Sequence, residues 1–437
     1  MLSRKILYDI TILGNNFSQI DPKTGIYRVT EELLLQLLKK DNLEITLTSL
    51  CSPDPALSSI NCPLYLKDCL AASLPYEETF RSYLGLNWLY RLLFRTYFSR
   101  DFQKLPKYSL KSISVRGMLK LVEMTKLNIY DRYQSCDSEK YDILHSTYYK
   151  LPPREITKNL PRLLMIYDLI PIKSPNFVSE KLKHYFDGIL KSIDYNTDWI
   201  VCSSEYTRQE FCEYSGMNPQ RTFVTYLAAD KHFYPITDPE VIQKINKRYN
   251  IPNKDYFLCL ASQLHPRKNI PFLMNSFISL IREYPHLDIN LVLVGTTRHR
   301  RVEIEYALRN IAEYKDRIII TGYVPDEELR AIYSGATAFI FPSLYEGFGL
   351  PILEAMQCAI PVVSSNATSL PEVVGDAGIL FDPKDQDQLC QAMLNILNHE
   401  TLRKELIEKG LERSKLFSWE KCANETVEIY EKIIDSK

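Results

Sequence analysis

Short β-rich apolar runs alternate with helical patterns along most of this chain, and that alternation limits its fold more than any other feature. The runs cover residues 5–10, 43–50, 142–147, 162–167, 198–203 and 221–226 in the first half, and 257–261, 289–294, 317–321, 337–341, 360–364 and 378–381 in the second. Most are continuously apolar, as expected of strands covered on both faces. Between them lie helical spacings: Leu273, Phe277, Leu280 and Ile281 recur on one face, as do Leu329, Ile332, Tyr333 and Ala336. Asp326 is the expected N-cap of the latter helix, and Ser369 with Glu372 has the spacing of a capping box. Repeated β-α-β units predict an α/β fold, and two such series divided near 231–252 predict two Rossmann-like domains. Ligands of such sheets bind beyond the carboxyl ends of the strands, so the expected site is a cleft between facing edges.

The 53 basic and 54 acidic residues leave a formal charge of -1, so no global field draws the chain to nucleic acid. Residues 51–140 interrupt the alternation. Within 81–132, eleven Lys/Arg stand against three acids, a local +8 that leaves -9 for the remainder. The same stretch holds Tyr83, Trp88, Tyr90, Phe94, Tyr97 and Phe98. Cations beside an aromatic face suit an anionic membrane surface, at ~1 kcal/mol each. A solvated helix that packs its apolar face inward fits as well; nucleic-acid binding fits less, for want of a recognisable module. No apolar run reaches the ~18 residues of a membrane span. Residues 1–14 read as a first strand rather than a signal peptide, because Asp9 interrupts the apolar stretch. Ten scattered cysteines without a C-x-x-C pair predict reduced thiols in a cytoplasmic protein.

The most informative stretch is 341–383. It follows an apolar run and opens a helical one, and Glu346-Gly347-Phe348-Gly349 forms the turn between them. Backbone amides at a glycine-containing strand-to-helix turn suit a phosphate. Glu354 lies eight residues after Glu346, about one turn into the helix. The whole string, E-G-F-G-L-P-x-x-E-A-M followed by P-V and L-P-E-V-V-G-D-A, resembles the GT-B-fold glycosyltransferases of family 4, a large retaining group (glycosyl transferases group 1) that includes mannosyl- and rhamnosyltransferases. Ala359 stands where relatives usually carry Gly. The resemblance implies that Glu346 binds hydroxyls of a donor sugar, Glu354 the ribose of its nucleotide, and the amides of Gly347, Phe348, Gly349 and Leu350 the diphosphate. Arg267 and Lys268 match the family's R-K-N element, which takes the place of a metal. Fixed cations there stabilise the negative charge on the leaving group. Tyr323 and Val324 match the segment facing the base, and Gly295 with Thr296 the cleft wall. Asp385-Gln386-Asp387 has the Asp-x-Asp form that binds a metal in another transferase class, but it falls at a late helix start, and the seven histidines form no H-x-x-x-H pattern. No metal and no cofactor are expected beyond the nucleotide-sugar substrate.

The resemblance assigns 1–230 to the acceptor, 231–415 to the nucleotide sugar, and 416–437 to a helix crossing back to the first domain. Gly25 and Arg28 match the T-G-I-x-R loop, where Gly25 allows close backbone approach and Arg28 either faces the cleft or only starts a helix. His145 is either acceptor-side or a satisfied strand-end histidine. Relatives often carry His-Asp where this chain has Tyr167-Asp168. Asp168 is retained as a catalytic candidate, and a tyrosine, with a pKa of ~10, can donate a hydrogen bond to a sugar but not act as a base near neutral pH. The expected function is retaining transfer from a nucleotide-diphospho-sugar to a glycan or lipid-linked acceptor in polysaccharide or cell-surface glycan synthesis. The chain would be cytoplasmic or peripheral at the membrane's inner face, with 81–132 on anionic lipid. The alternative is a catalytically silent subunit of the same fold.

Overall fold

The computed structural model describes residues 3–17, 25–53, 55–70, 74–77, 80–81, 92–93, 96–97, 109–124, 132–133, 137–261, 265–295 and 312–436. Two parallel sheets organise them. The first has the order β3-β2-β1-β6-β7-β8-β9, built from β1 (Arg4–Asp9), β2 (Leu43–Thr48), β3 (Tyr76–Glu77), β6 (Ile143–Ser146), β7 (Arg162–Ile166), β8 (Trp199–Cys202) and β9 (Thr222–Val224). The second has the order β12-β11-β10-β13-β14-β15, from β10 (Asp255–Leu260), β11 (Ile289–Val294), β12 (Ile318–Gly322), β13 (Ala338–Phe341), β14 (Val362–Ser365) and β15 (Gly378–Phe381). Each of the twelve apolar runs holds one of these strands. A short antiparallel pair, β4 (Phe80–Arg81) with β5 (Arg132–Tyr133), was not foreseen; two-residue strands leave no periodic signal.

The continuous apolar runs arise because both sheet faces are covered. Along β7, Leu163 and Met165 enter one core while Leu164 and Ile166 enter the other; along β10, Tyr256 and Leu258 part from Phe257 and Cys259 in the same way. One core runs unbroken from the first sheet (Tyr8, Met165) through Trp419 and Tyr430 to the second (Phe339, Val362). The two sheets are therefore joined by apolar packing as well as by chain.

Six helices place the site: α1 (Gly25–Leu37), α2 (Glu205–Ser215), α3 (Asp326–Ser334), α4 (Leu350–Gln357), α5 (Leu370–Val374) and α6 (Trp419–Asp435). The C-terminal α6 packs on α1, and Arg4 donates to Asp435 at 2.7 Å. Two expected caps are replaced. Pro325 is the N-cap of α3, which begins at Asp326, and the Asp326 carboxylate pairs with Arg28. No capping box forms at Ser369: its hydroxyl donates to the carbonyls of Glu346 (2.9 Å) and Phe348 (3.0 Å). Glu372 instead accepts from the amides of Glu205 (2.9 Å) and Tyr206 (2.7 Å), so a carboxylate of the second domain caps α2 of the first.

Candidate active site

Strand order in the second sheet reverses between β10 and β13, and the loops leaving the carboxyl ends of these two neighbours build the site. After β10 the chain makes a short 3-10 turn, Pro266–Lys268, closed by Asn269 in the left-handed conformation (φ 57°). After β13 it runs through 342–349 into α4. The loops are stitched together: the Leu344 amide donates to the Arg267 carbonyl (2.7 Å), and the Arg267 guanidinium donates to the Tyr345 carbonyl (3.2 Å).

Glu346 stands between the two cations. Lys268 Nζ donates to its Oε1 at 2.6 Å, and the Arg267 guanidinium pairs with its Oε2. Burial alone would raise this carboxyl, but Lys268 and Arg267 outweigh burial and hold it at about 2. Lys268 is 7% exposed, and its ammonium also lies 4.7 Å from the centre of the Phe341 ring. Burial pushes Lys268 down while Glu346 opposes it. One carboxylate thus holds both cations.

Asp168 belongs to the first domain and faces this cluster. Burial raises its carboxyl to about 6, against the Ile170 amide (2.9 Å) and the nearby Arg267. The domains approach tightly at Gly347: a Cβ there would sit 2.0 Å from the Tyr167 carbonyl oxygen and 2.9 Å from the Asp168 Cβ. Ser203, also from the first domain, donates to the carbonyls of Tyr167 (2.8 Å) and Gly347 (3.0 Å). The Tyr345 hydroxyl donates to the Glu210 carboxylate on α2. The cross-cleft roles of Glu210, Ser203 and Glu372 escaped the sequence reading, which took Glu372 only as half of a local capping box; a bond to the other domain leaves no local pattern.

Glu354 is buried on α4. The Tyr333 hydroxyl donates to its Oε2 at 3.1 Å, and Arg28 of α1 lies 3.6 Å from its Oε1. Burial raises its carboxyl to about 7, while Arg28 and Tyr333 pull the other way. Arg28 therefore reaches the carboxylates of the second domain and is not left facing an open acceptor cleft. Gly349, at φ 123°, begins α4 as its N-cap, and Leu350 is the first helical residue.

Other candidates sit elsewhere. Phe348 is 5% exposed and packs with Tyr226 and Phe417, so only its backbone can meet a ligand. Val324 is buried in the core, whereas Tyr323 is exposed. Gly295 pairs its amide with the Gly322 carbonyl at 3.0 Å; Thr296 lies outside the described residues. Gly25 is exposed, and a Cβ there would meet nothing within 4 Å, so no close approach requires the glycine. His145 is fully enclosed and its Nδ1 meets the Tyr430 hydroxyl at 2.6 Å; burial lowers its ring to about 3. It is a buried strand-end histidine bonded at one nitrogen only, its Nε2 having no hydrogen-bond partner among the described residues, and it does not face the cleft. The Tyr167 hydroxyl is also sealed, which pushes its pKa well above the usual range. Asp385 caps the helix Gln386–Asn398 by accepting from the Gln388 amide at 3.0 Å. On the first-domain side, Ile26, Tyr148, Tyr167, Asp168, Tyr185 and Phe186 line a cavity of ≈ 150 Å³.

Residues 254–399, which carry both loops, match the family described as Glycosyl transferases group 1. The chain is 33% identical over 314 residues to the O-antigen chain mannosyltransferase B of Escherichia coli, covering 71% of this chain and 80% of that protein. It is 31% identical over 281 residues to the serotype-specific mannosyltransferase WbdA of the same organism, 62% of this chain and only 33% of the relative. In fold it resembles Anabaena Alr3699/HepE, solved in complex with UDP and glucose, with a TM-score of 0.62 and 15% identity over 98% of this chain and 100% of the other. The two facing parallel sheets are those of the GT-B architecture. With that identity extending over four-fifths of the O-antigen mannosyltransferase, this chain belongs to the glycosyl transferases group 1 family.

Proposed function

We propose that this glycosyltransferase moves a hexosyl group, mannosyl by analogy with its relatives, from a nucleotide-diphospho-sugar to a glycan or lipid-linked saccharide, with retention at the anomeric carbon and without a metal. The observation that carries the reading is the Arg267–Lys268–Glu346 cluster, with Lys268 and Glu346 buried and Arg267 partly exposed, at the reversal point of the second sheet. Donor binding would draw the cations onto the diphosphate and release Glu346 to accept from sugar hydroxyls. Glu354 would accept from the ribose, and the amides at the start of α4 would face a phosphate. As the bond from the anomeric carbon to the β-phosphate oxygen breaks, the acceptor oxygen bonds to that carbon from the same face. Its proton passes to the departing phosphate oxygen. Each fixed cation stabilises charge that grows in the transition state, worth about 3 kcal/mol by comparison with other oxyanion contacts. The upward-shifted Tyr167 supplies no base, which suits a reaction that needs none.

The cavity beside Asp168 is the proposed acceptor pocket: tyrosine faces pack against a sugar ring while the carboxylate accepts from a hydroxyl. Peripheral attachment to the inner face of an anionic membrane belongs to the same proposal; among the described residues no helix is long and apolar enough to cross one. Two cations gathered on one carboxylate favour the active reading over a silent subunit. Incubation with UDP-, GDP- and dTDP-sugars and a mannosyl glycan acceptor tests the reading. Release of the nucleoside diphosphate with an α-linked product from an α-linked donor, read by proton NMR, is expected. An inverted product would overturn retention, and nucleotide binding without turnover would favour the silent subunit.

A further inference from the structure

Arg28 leaves the first domain, pairs with Asp326 at the start of α3, and stands 3.6 Å from Glu354 on α4. The guanidinium is mostly buried, and its two partners come from a different domain, nearly three hundred residues away. We propose that Arg28 is a positioning residue for donor capture: it spans the cleft to Asp326 and Glu354 and so couples closure of the two domains to the carboxylate that receives the ribose. The inference rests on the reading of Glu354 as the ribose-binding residue.

Geometry explains why an arginine suits the task. The planar fork can hold Asp326 with one nitrogen while another faces Glu354, which a single ammonium does less well. At 3.6 Å the Arg28–Glu354 contact is an ion pair longer than a hydrogen bond, so Glu354 Oε1 keeps lone pairs for a hydroxyl while Oε2 accepts from Tyr333. A buried carboxyl must be ionised to accept from both ribose hydroxyls, and burial works against that. The groups facing Glu354 are Arg28 from α1, Tyr333 and Asp326 from α3, His232 from the loop that follows β9, and Cys358 just past α4. Arg28 is the strongest of these in favouring the carboxylate, and Asp326 opposes it. An opened cleft removes Arg28 and lets Glu354 take up a proton; a closed one restores the acceptor.

The sign of the effect follows. Losing Arg28 raises the Glu354 pKa, so the affinity deficit is full at acid pH and vanishes once pH exceeds the new value. Calorimetric titration of UDP and GDP into the wild type, Arg28→Gln, Arg28→Lys and Glu354→Gln from pH 6 to 9 tests this. For the nucleotide that binds, Arg28→Gln should be roughly five- to tenfold weaker between pH 6 and 7 and close to wild type by pH 9, a midpoint shift of about 1 pH unit. Arg28→Lys should keep most of the wild-type profile. Comparing variants at each pH cancels the titration of the nucleotide. A deficit in Arg28→Gln that is constant across pH would overturn the coupling while leaving the ribose reading in place. Wild-type affinity in Glu354→Gln, or no binding of either nucleotide to the wild type, would bring down the ribose reading and the inference with it.

Discussion

Glu346 holds Arg267 and Lys268 in one cluster, and the proposed entry of a diphosphate there leads to a prediction that separates binding from catalysis. Glu346→Gln removes the anion that competes with a diphosphate, so UDP or GDP should bind several-fold tighter by calorimetry. Transfer should nevertheless fall by about 10²–10³, since the sugar loses its orienting carboxylate. Unchanged transfer would contradict the assignment. Ala359 offers a second test. It adopts φ 58°, a left-handed conformation that costs an alanine about 1–2 kcal/mol and a glycine almost nothing. Ala359→Gly should therefore raise thermal stability by up to about 1 kcal/mol, measured by calorimetric unfolding, despite the added freedom of the unfolded chain. The string around these residues was legible because each carries local chemistry: two cations after one strand, a carboxylate after its neighbour in the sheet. Motif position does not reveal which way a side chain points: the expectations for Phe348 and Val324 concerned their backbone, and both side chains point into the core.

At the scale of elements, the loop 342–349 and helix α2 are among the parts through which the two domains touch. Glu372 caps α2, Tyr345 bonds Glu210, and Ser203 bonds the Gly347 carbonyl. The sequence suggested that the glycines of this turn serve a phosphate; at Gly347 the structure adds a steric reason, since the Tyr167 carbonyl lies 2.0 Å from where a Cβ would stand. That oxygen is backbone and cannot swing aside. Gly347→Ala should push the domains apart, lower stability by about 1–3 kcal/mol in thermal unfolding, and reduce transfer at least tenfold. A variant with wild-type stability and rate would show that the two domains do not need this approach. Strands and helices were readable from apolar periodicity because burial on two faces writes itself into every residue of a run. Cross-cleft bonds were not, because Arg28 and Asp326 are 298 positions apart and neither has a spacing that names the other.

Taken whole, the molecule is two parallel-sheet layers whose cores are continuous through α6. The basic stretch 81–132 adds a surface outside that frame. Most of its cations and aromatics, Trp88 and Tyr90 included, lie outside the described residues, but the helix Leu110–Met124 exposes Leu110, Ile113, Met118 and Leu121 beside Lys111, Arg116 and Lys120. Apolar and cationic groups together on one exposed helix suit anionic lipid. The chain should sediment with phosphatidylglycerol vesicles at low salt and dissociate near about 0.5 M salt, where screening is short-ranged. Equal binding to neutral vesicles, or none, would remove the membrane from the account. The claim on which the rest depends is that Arg267 and Lys268 receive the leaving diphosphate. A crystal structure with bound UDP or GDP tests it directly: the account predicts the β-phosphate within hydrogen-bond distance of both side chains and Glu346 turned away from them. A diphosphate bound elsewhere, with Glu346 still bridging the two cations, would contradict it.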